Sequence, residues 1–198
     1  MRRWSSLALL IALAGCNPSI QEMENVLPAV GSPVPAFEFR QLGGTHATPA
    51  SLAGEPAVLA LWSSTCYASR LALRELADMQ KSYALRGVRL LVIADDADSA
   101  AVQRVLDDAG VALPVALADG KLTDVFAPGR RWPWQRGVSL PSFLVLDADG
   151  RVTNRMVGVD VDADPRKGPG RASLDRVRHA LDLLVPPPQP KQALHAGA

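Results

Sequence analysis

Two apolar runs, Ala57 to Trp62 (AVLALW) and Val88 to Ala94 (VRLLVIA), constrain this chain more than any other feature. Each has strand length and lacks polar alternation, the pattern of a central strand covered on both faces. Between them, Ala72, Leu76, Met79 and Tyr83 recur at helical spacing within Tyr67 to Arg86, and Gly87 follows as a C-cap. The unit is β-α-β. A second helix is predicted over Ser99 to Ala109, opened by Ser99 as N-cap and closed by Gly110, with a strand near Pro114 to Leu117 after it. Ser142 to Leu146, the turn Asp147-Ala148-Asp149-Gly150 and Arg151 to Val157 read as a β-hairpin with Asp-Gly turn chemistry. Leu174, Val177, Leu181 and Leu184 mark a last helix. Strands that alternate with helices and end in an antiparallel hairpin predict an α/β fold, a central mixed sheet with helices on both faces.

The ends of the chain differ in composition from this middle. Arg2 and Arg3 precede the short apolar run Leu7 to Ala14, far below the roughly 20 apolar residues that cross a bilayer. Leu13-Ala14-Gly15-Cys16 matches a bacterial lipidation signal, so residues 1–15 are expected to be a lipoprotein signal peptide and Cys16 the lipidated N-terminus. Residues 16–34, rich in Pro, Asn, Ser and Gly, read as a tether. One folded domain is expected over 35–184, and the proline-rich stretch from Val185 begins a flexible tail over 185–198. The 198-residue length and 48% hydrophobic content suit a single domain. Removing Arg2 and Arg3 leaves 19 basic against 20 acidic side chains, a net charge of −1, so nucleic acid is not an expected partner. The expected location is the bacterial cell envelope, facing the periplasm, with the inner or outer membrane left open.

The sequence contains two cysteines, and with Cys16 lipidated, Cys66 is the remaining thiol. A lone thiol in an exported protein is either a reactive centre or an intermolecular partner. Cys66 follows a strand and opens a helix, with Ser64 or Thr65 available as N-cap. Unpaired N–H groups and the helix dipole favour an anion there, so a thiolate is stabilised. An inert buried cysteine is the competing reading. His46, His179 and His195 lie far from Cys66 in sequence and signal neither a Cys-His pair nor a metal cluster.

The order strand, Trp62-Ser63-Ser64-Thr65-Cys66, helix, strand, helix, then Leu140-Pro141-Ser142 before the hairpin, resembles the thioredoxin superfamily. It is most similar to the membrane-tethered, exported thiol-disulfide oxidoreductases of the TlpA/ResA type, over about residues 30 to 184. The resemblance implies a thioredoxin-like fold, a cis Leu140-Pro141 bond packed against the thiol, and no cofactor or metal. It assigns Cys66, Ser69 and Pro141 to the catalytic centre and Trp62, Thr65, Tyr67 and Leu140 to substrate contact. Trp132 and Trp134, in an unusually long loop with Arg130, Arg131 and Arg136, are expected either to help dock a partner or to pack on the domain.

The departures from the family are as informative. Its C-x-x-C is here Cys66-Tyr67-Ala68-Ser69, and many relatives carry an acid where Ala72 stands. A serine hydroxyl does not attack a mixed disulfide at neutral pH, so the resolving step is absent, although Ser69 is placed to donate a hydrogen bond to the thiolate. The leading expectation is a single-thiol exchange protein acting on exported proteins with cysteines or on low-molecular-weight thiols, with a Cys66-linked dimer as a further product. The alternatives are a non-enzymatic binding or chaperone module and a one-cysteine peroxidase, which Leu59 disfavours by standing where a proline belongs.

Overall fold

The computed structural model describes residues 19–127, 137–161 and 172–187. In chain order these are α1 (Ile20–Glu24), β1 (Phe39–Gln41), β2 (His46–Ala47), a 3-10 turn (Pro49–Leu52), β3 (Ala57–Trp62), α2 (Tyr67–Leu71), α3 (Leu73–Ala84), β4 (Arg89–Ala94), α4 (Ser99–Ala109), β5 (Val115–Leu117), α5 (Leu122–Phe126), β6 (Ser142–Leu146), β7 (Val152–Val157), β8 (Asp160–Val161), β9 (Ala172–Ser173) and α6 (Asp175–Leu184).

The main sheet runs β2-β1-β5-β4-β3-β6-β7. β3 pairs parallel with β4, and β4 with β5, while β1, β6 and β7 join antiparallel. The mixed sheet expected from the order of apolar runs is therefore present. β3 lies near its middle, and every residue from Ala57 to Trp62 is 0% exposed, because alternate side chains enter two cores. Val58, Ala60 and Trp62 pack with Leu73, Leu76, Met79 and Tyr83 of α3, Val102 and Leu106 of α4, and Val177 and Leu181 of α6. Ala57, Leu59 and Leu61 pack on the other face with Leu122 and Phe126 of α5 and with Phe37 and Phe39. Successive parallel steps from β3 to β4 to β5 keep α3 and α4 on one face, and after β5 the chain places α5 on the other before entering β6.

Local chemistry sets most boundaries. Asp147 Oδ1 accepts the amides of Asp149 at 3.0 Å and Arg151 at 2.9 Å, and Gly150 takes a φ of 74°, so the Asp-Gly turn closes the β6–β7 hairpin as expected. α4 ends at Gly110 in the left-handed region, but its N-cap is Asp98, whose Oδ1 accepts from the amides of Ala100 and Ala101. Ser99, expected in that role, is the first helical residue.

The helix expected over Tyr67 to Arg86 is two segments meeting at Ala72. The Ala72 amide is shared between the carbonyls of Ala68 and Ser69, and the Ser69 carbonyl also accepts Trp62 Nε1–H at 2.7 Å. That competition tightens the turn.

Residues 19–34 do not behave as a tether. Ser19 and Glu22 form a capping box on α1, and Leu27 is 3% exposed. Gly31 N–H donates to Val152 O, Val152 N–H to Ser32 O and Val34 N–H to Gly150 O, so this stretch covers the open edge of β7. Arg155 donates to Leu27 O at 2.9 Å, and Glu24 accepts from Val157 N–H and pairs with Arg176 at 3.3 Å.

Candidate active site

β3 delivers the chain to the C-terminal edge of the parallel strands, where α/β proteins build their sites. The residues after Trp62 form a tight turn, with Cys66 N–H donating to Ser63 O at 3.2 Å. Cys66 itself, rather than Ser64 or Thr65, is the N-cap of α2, in extended conformation and without a side-chain capping bond. Its thiol is free and half-buried. The sulfur donates to Leu140 O at 3.4 Å, and the Leu140–Pro141 peptide bond is cis. Residues 74 positions apart in sequence thus meet at one atom pair. Pro141 is buried, and its carbonyl accepts Gly158 N–H at 2.8 Å, which ties the proline to the end of β7.

The remaining residues expected in the site divide into two groups. Thr65 is exposed, Tyr67 is 71% exposed and Leu140 is half-buried, so all three present surface around Cys66. Trp62 is wholly buried and cannot touch a macromolecular substrate; its indole instead holds the Ser69 carbonyl. Ser69 is also 0% exposed, and its Oγ accepts Ser63 N–H at 3.4 Å rather than donating to the thiol. Ala72 is buried. His179 is exposed on α6, and His46 lies on β2 at the far edge of the sheet. Trp132, Trp134 and Cys16 lie outside the described residues.

Residues that the sequence reading passed over hold the site together. Asp96, just past β4, accepts Ser64 N–H at 2.9 Å on one carboxylate oxygen and the Ser64 hydroxyl on the other. Asp95 accepts Leu122 N–H at 3.1 Å, and Thr123 Oγ1 accepts Val138 N–H at 3.2 Å. With the Cys66–Leu140 contact, these bonds run from the thiol segment through the ends of β4 and α5 to the segment before Pro141 and back to the sulfur. Burial pushes the Asp95 carboxyl above the usual carboxylate range; the Leu122 amide opposes this, while Asp96 and Asp124 add to it. The signal available in sequence was two adjacent aspartates ending a buried parallel strand.

The sequence profile of the redoxin family matches residues 29–168, which include β1 through β8 and every residue of this site. The chain belongs to the redoxin family. Among curated proteins, it is similar to the thiol-disulfide oxidoreductase ResA of Bacillus thuringiensis (strain Al Hakam), with 23% identity over 130 residues, 65% of this chain and 70% of that protein. Among solved structures, a thiol:disulfide interchange protein of the thioredoxin family from Chlorobium tepidum TLS superimposes with a TM-score of 0.59 at 24% identity, covering 80% of this chain and 99% of that one. A secreted disulfide oxidoreductase of Mycobacterium tuberculosis, homologous to E. coli DsbE, gives 0.53 at 23% identity, covering 75% and 96%. The fold of this redoxin is thioredoxin-like, as its motif order implies.

Proposed function

We propose that this redoxin is a lipid-anchored, extracytoplasmic thiol-disulfide exchange protein that works through Cys66 alone. One observation carries the reading: a half-exposed thiol opens α2 against the carbonyl preceding cis-Pro141, while a buried serine hydroxyl stands where the family has its second thiol. In this exchange, the Cys66 thiolate attacks one sulfur of a partner disulfide. A bond forms between the two sulfurs, the partner's own S–S bond breaks, and the departing sulfur leaves with the electron pair as a thiolate. An outside thiolate then attacks the mixed disulfide and returns Cys66 to its starting state. Each step conserves the number of disulfides, so the protein shuffles or holds disulfides and delivers net oxidation or reduction only with an outside couple.

The partners proposed are exported proteins bearing cysteines and low-molecular-weight thiols, with Thr65, Tyr67 and Leu140 as the contact surface. Leu13-Ala14-Gly15-Cys16 supports lipid anchoring, and the secreted mycobacterial relative supports a location outside the cytoplasm. Expressed in a bacterial envelope, the full chain is expected to give higher-mass species on non-reducing gels that collapse with reductant and are lost in Cys66→Ala. Partner capture that persists in Cys66→Ala would replace thiol exchange with a binding or chaperone role; a sulfenic acid at Cys66 that turns over peroxide would favour the peroxidase.

A further inference from the structure

Thiol exchange calls on Cys66, Leu140 and Pro141, yet the segment carrying the thiol is gripped by a carboxylate from the neighbouring strand. We propose that Asp96 is a positioning residue for Cys66, acting through Ser64; the proposal rests on the thiol-exchange reading of the site.

Ser64 has two donors, and both go to Asp96: the backbone N–H to Oδ2 at 2.9 Å and the hydroxyl to Oδ1. A carboxylate supplies an acceptor at each oxygen, whereas an asparagine supplies one acceptor and a donor. Asp96 is itself well placed, because the parallel register sets Trp62 opposite Ala94 and Asp95 N–H donates to Trp62 O at 2.9 Å. The grip passes to the thiol through the turn. Ser63 Oγ contacts Thr65 Oγ1 at 3.0 Å and accepts Thr65 N–H, and Ser63 O accepts Cys66 N–H. Rotation of Ser64 therefore moves the N-cap residue of α2 and the angle at which its sulfur meets Leu140 O and an incoming disulfide.

Charge argues the other way, since the carboxylate that holds Ser64, two residues before Cys66, has the same sign as a thiolate. Geometry and charge thus make opposite predictions for the neutral variant. If the field dominates, Asp96→Asn speeds exchange; if positioning dominates, it slows exchange.

The test is the second-order rate of Cys66 modification in the full chain by a small aromatic disulfide, well below the melting temperature of each variant. Asp96→Ala is expected to slow the reaction by about tenfold, as misplaced reacting groups do. Asp96→Asn, which keeps one acceptor, should fall between it and the wild type. Ser64→Ala should also slow the reaction, and Ser64→Ala combined with Asp96→Ala should be no slower than Asp96→Ala alone, because the two residues act as one unit. Should Asp96→Ala fail to fold, the other two single variants carry the test. Unchanged rates with a lowered melting temperature would make Asp96 merely structural, and a faster Asp96→Asn would make its charge the dominant effect; either overturns the proposal. A wild type that does not react at all sinks the exchange reading instead. Amide exchange then decides the positioning: protection lost at residues 64–66 in Asp96→Asn supports it, and unchanged protection ends it.

Discussion

Ser69 stands three residues after Cys66, where the family resemblance implies a second thiol. Its hydroxyl is buried against the Ser63 amide and its carbonyl against the Trp62 indole, so Ser69 ties α2 to the end of β3. A sulfur at this position would lie one helical turn from Cys66, within bridging reach. Ser69→Cys is therefore expected to form an internal disulfide under air and to reduce a disulfide substrate with turnover when supplied with an outside reductant. A bridge without turnover would point to buried Ala72, where no acid is available to move a proton. Trp62→Phe keeps most of the core volume but removes the bond to Ser69, and should cost about 1–3 kcal/mol in chemical denaturation. Asp95 adds a pH signature. Because its carboxyl is raised in the folded state, chiefly by burial, its contribution to stability is full below the ordinary carboxylate value of about 4 and is lost as pH rises through the folded value. Melting temperature followed against pH should show this loss in the wild type and not in Asp95→Asn, which keeps an acceptor for Leu122 N–H.

At the scale of elements, the segment before the first strand carries more weight than its composition suggests. Leu27 is buried against the core, and the backbone of residues 31–34 completes the β7 edge. Leu27→Ala is expected to destabilise the domain by about 2–4 kcal/mol, measured by denaturant unfolding, where a tether would show no change. This segment was not legible because its anchors are backbone groups and Arg155, more than 100 positions away, and no local pattern records such contacts. β3, β4 and α4 were legible because continuous apolar runs and helical spacing follow directly from burial on two faces of a sheet or on one face of a helix. The Ser99 cap was misplaced by one residue, since Asp98 and Ser99 are both capping residue types and only the direction of the Asp98 carboxylate decides between them.

The whole molecule joins its site from three loops at one edge of the sheet. Cys66 was legible as a thiol between a strand and a helix, and Pro141 through the motif that precedes the hairpin. Asp96 was not, because its partner Ser64 lies 32 residues earlier and the two meet only through parallel pairing of β3 with β4. The same pairing gives the site its rigidity: the ends of β3, β4 and α5 and the segment before Pro141 are linked by hydrogen bonds that return to the sulfur. In the proposed exchange, a thiol held in this way attacks a partner disulfide and then waits for an outside thiol. The most direct test is intact mass spectrometry of the domain after reaction with excess small disulfide and no added thiol. One adduct per chain, located at Cys66, stable over time and released by an outside thiol, is the result expected. Absence of an adduct without denaturant, or continued conversion of the disulfide beyond one equivalent without an outside thiol, would contradict exchange through a single thiol.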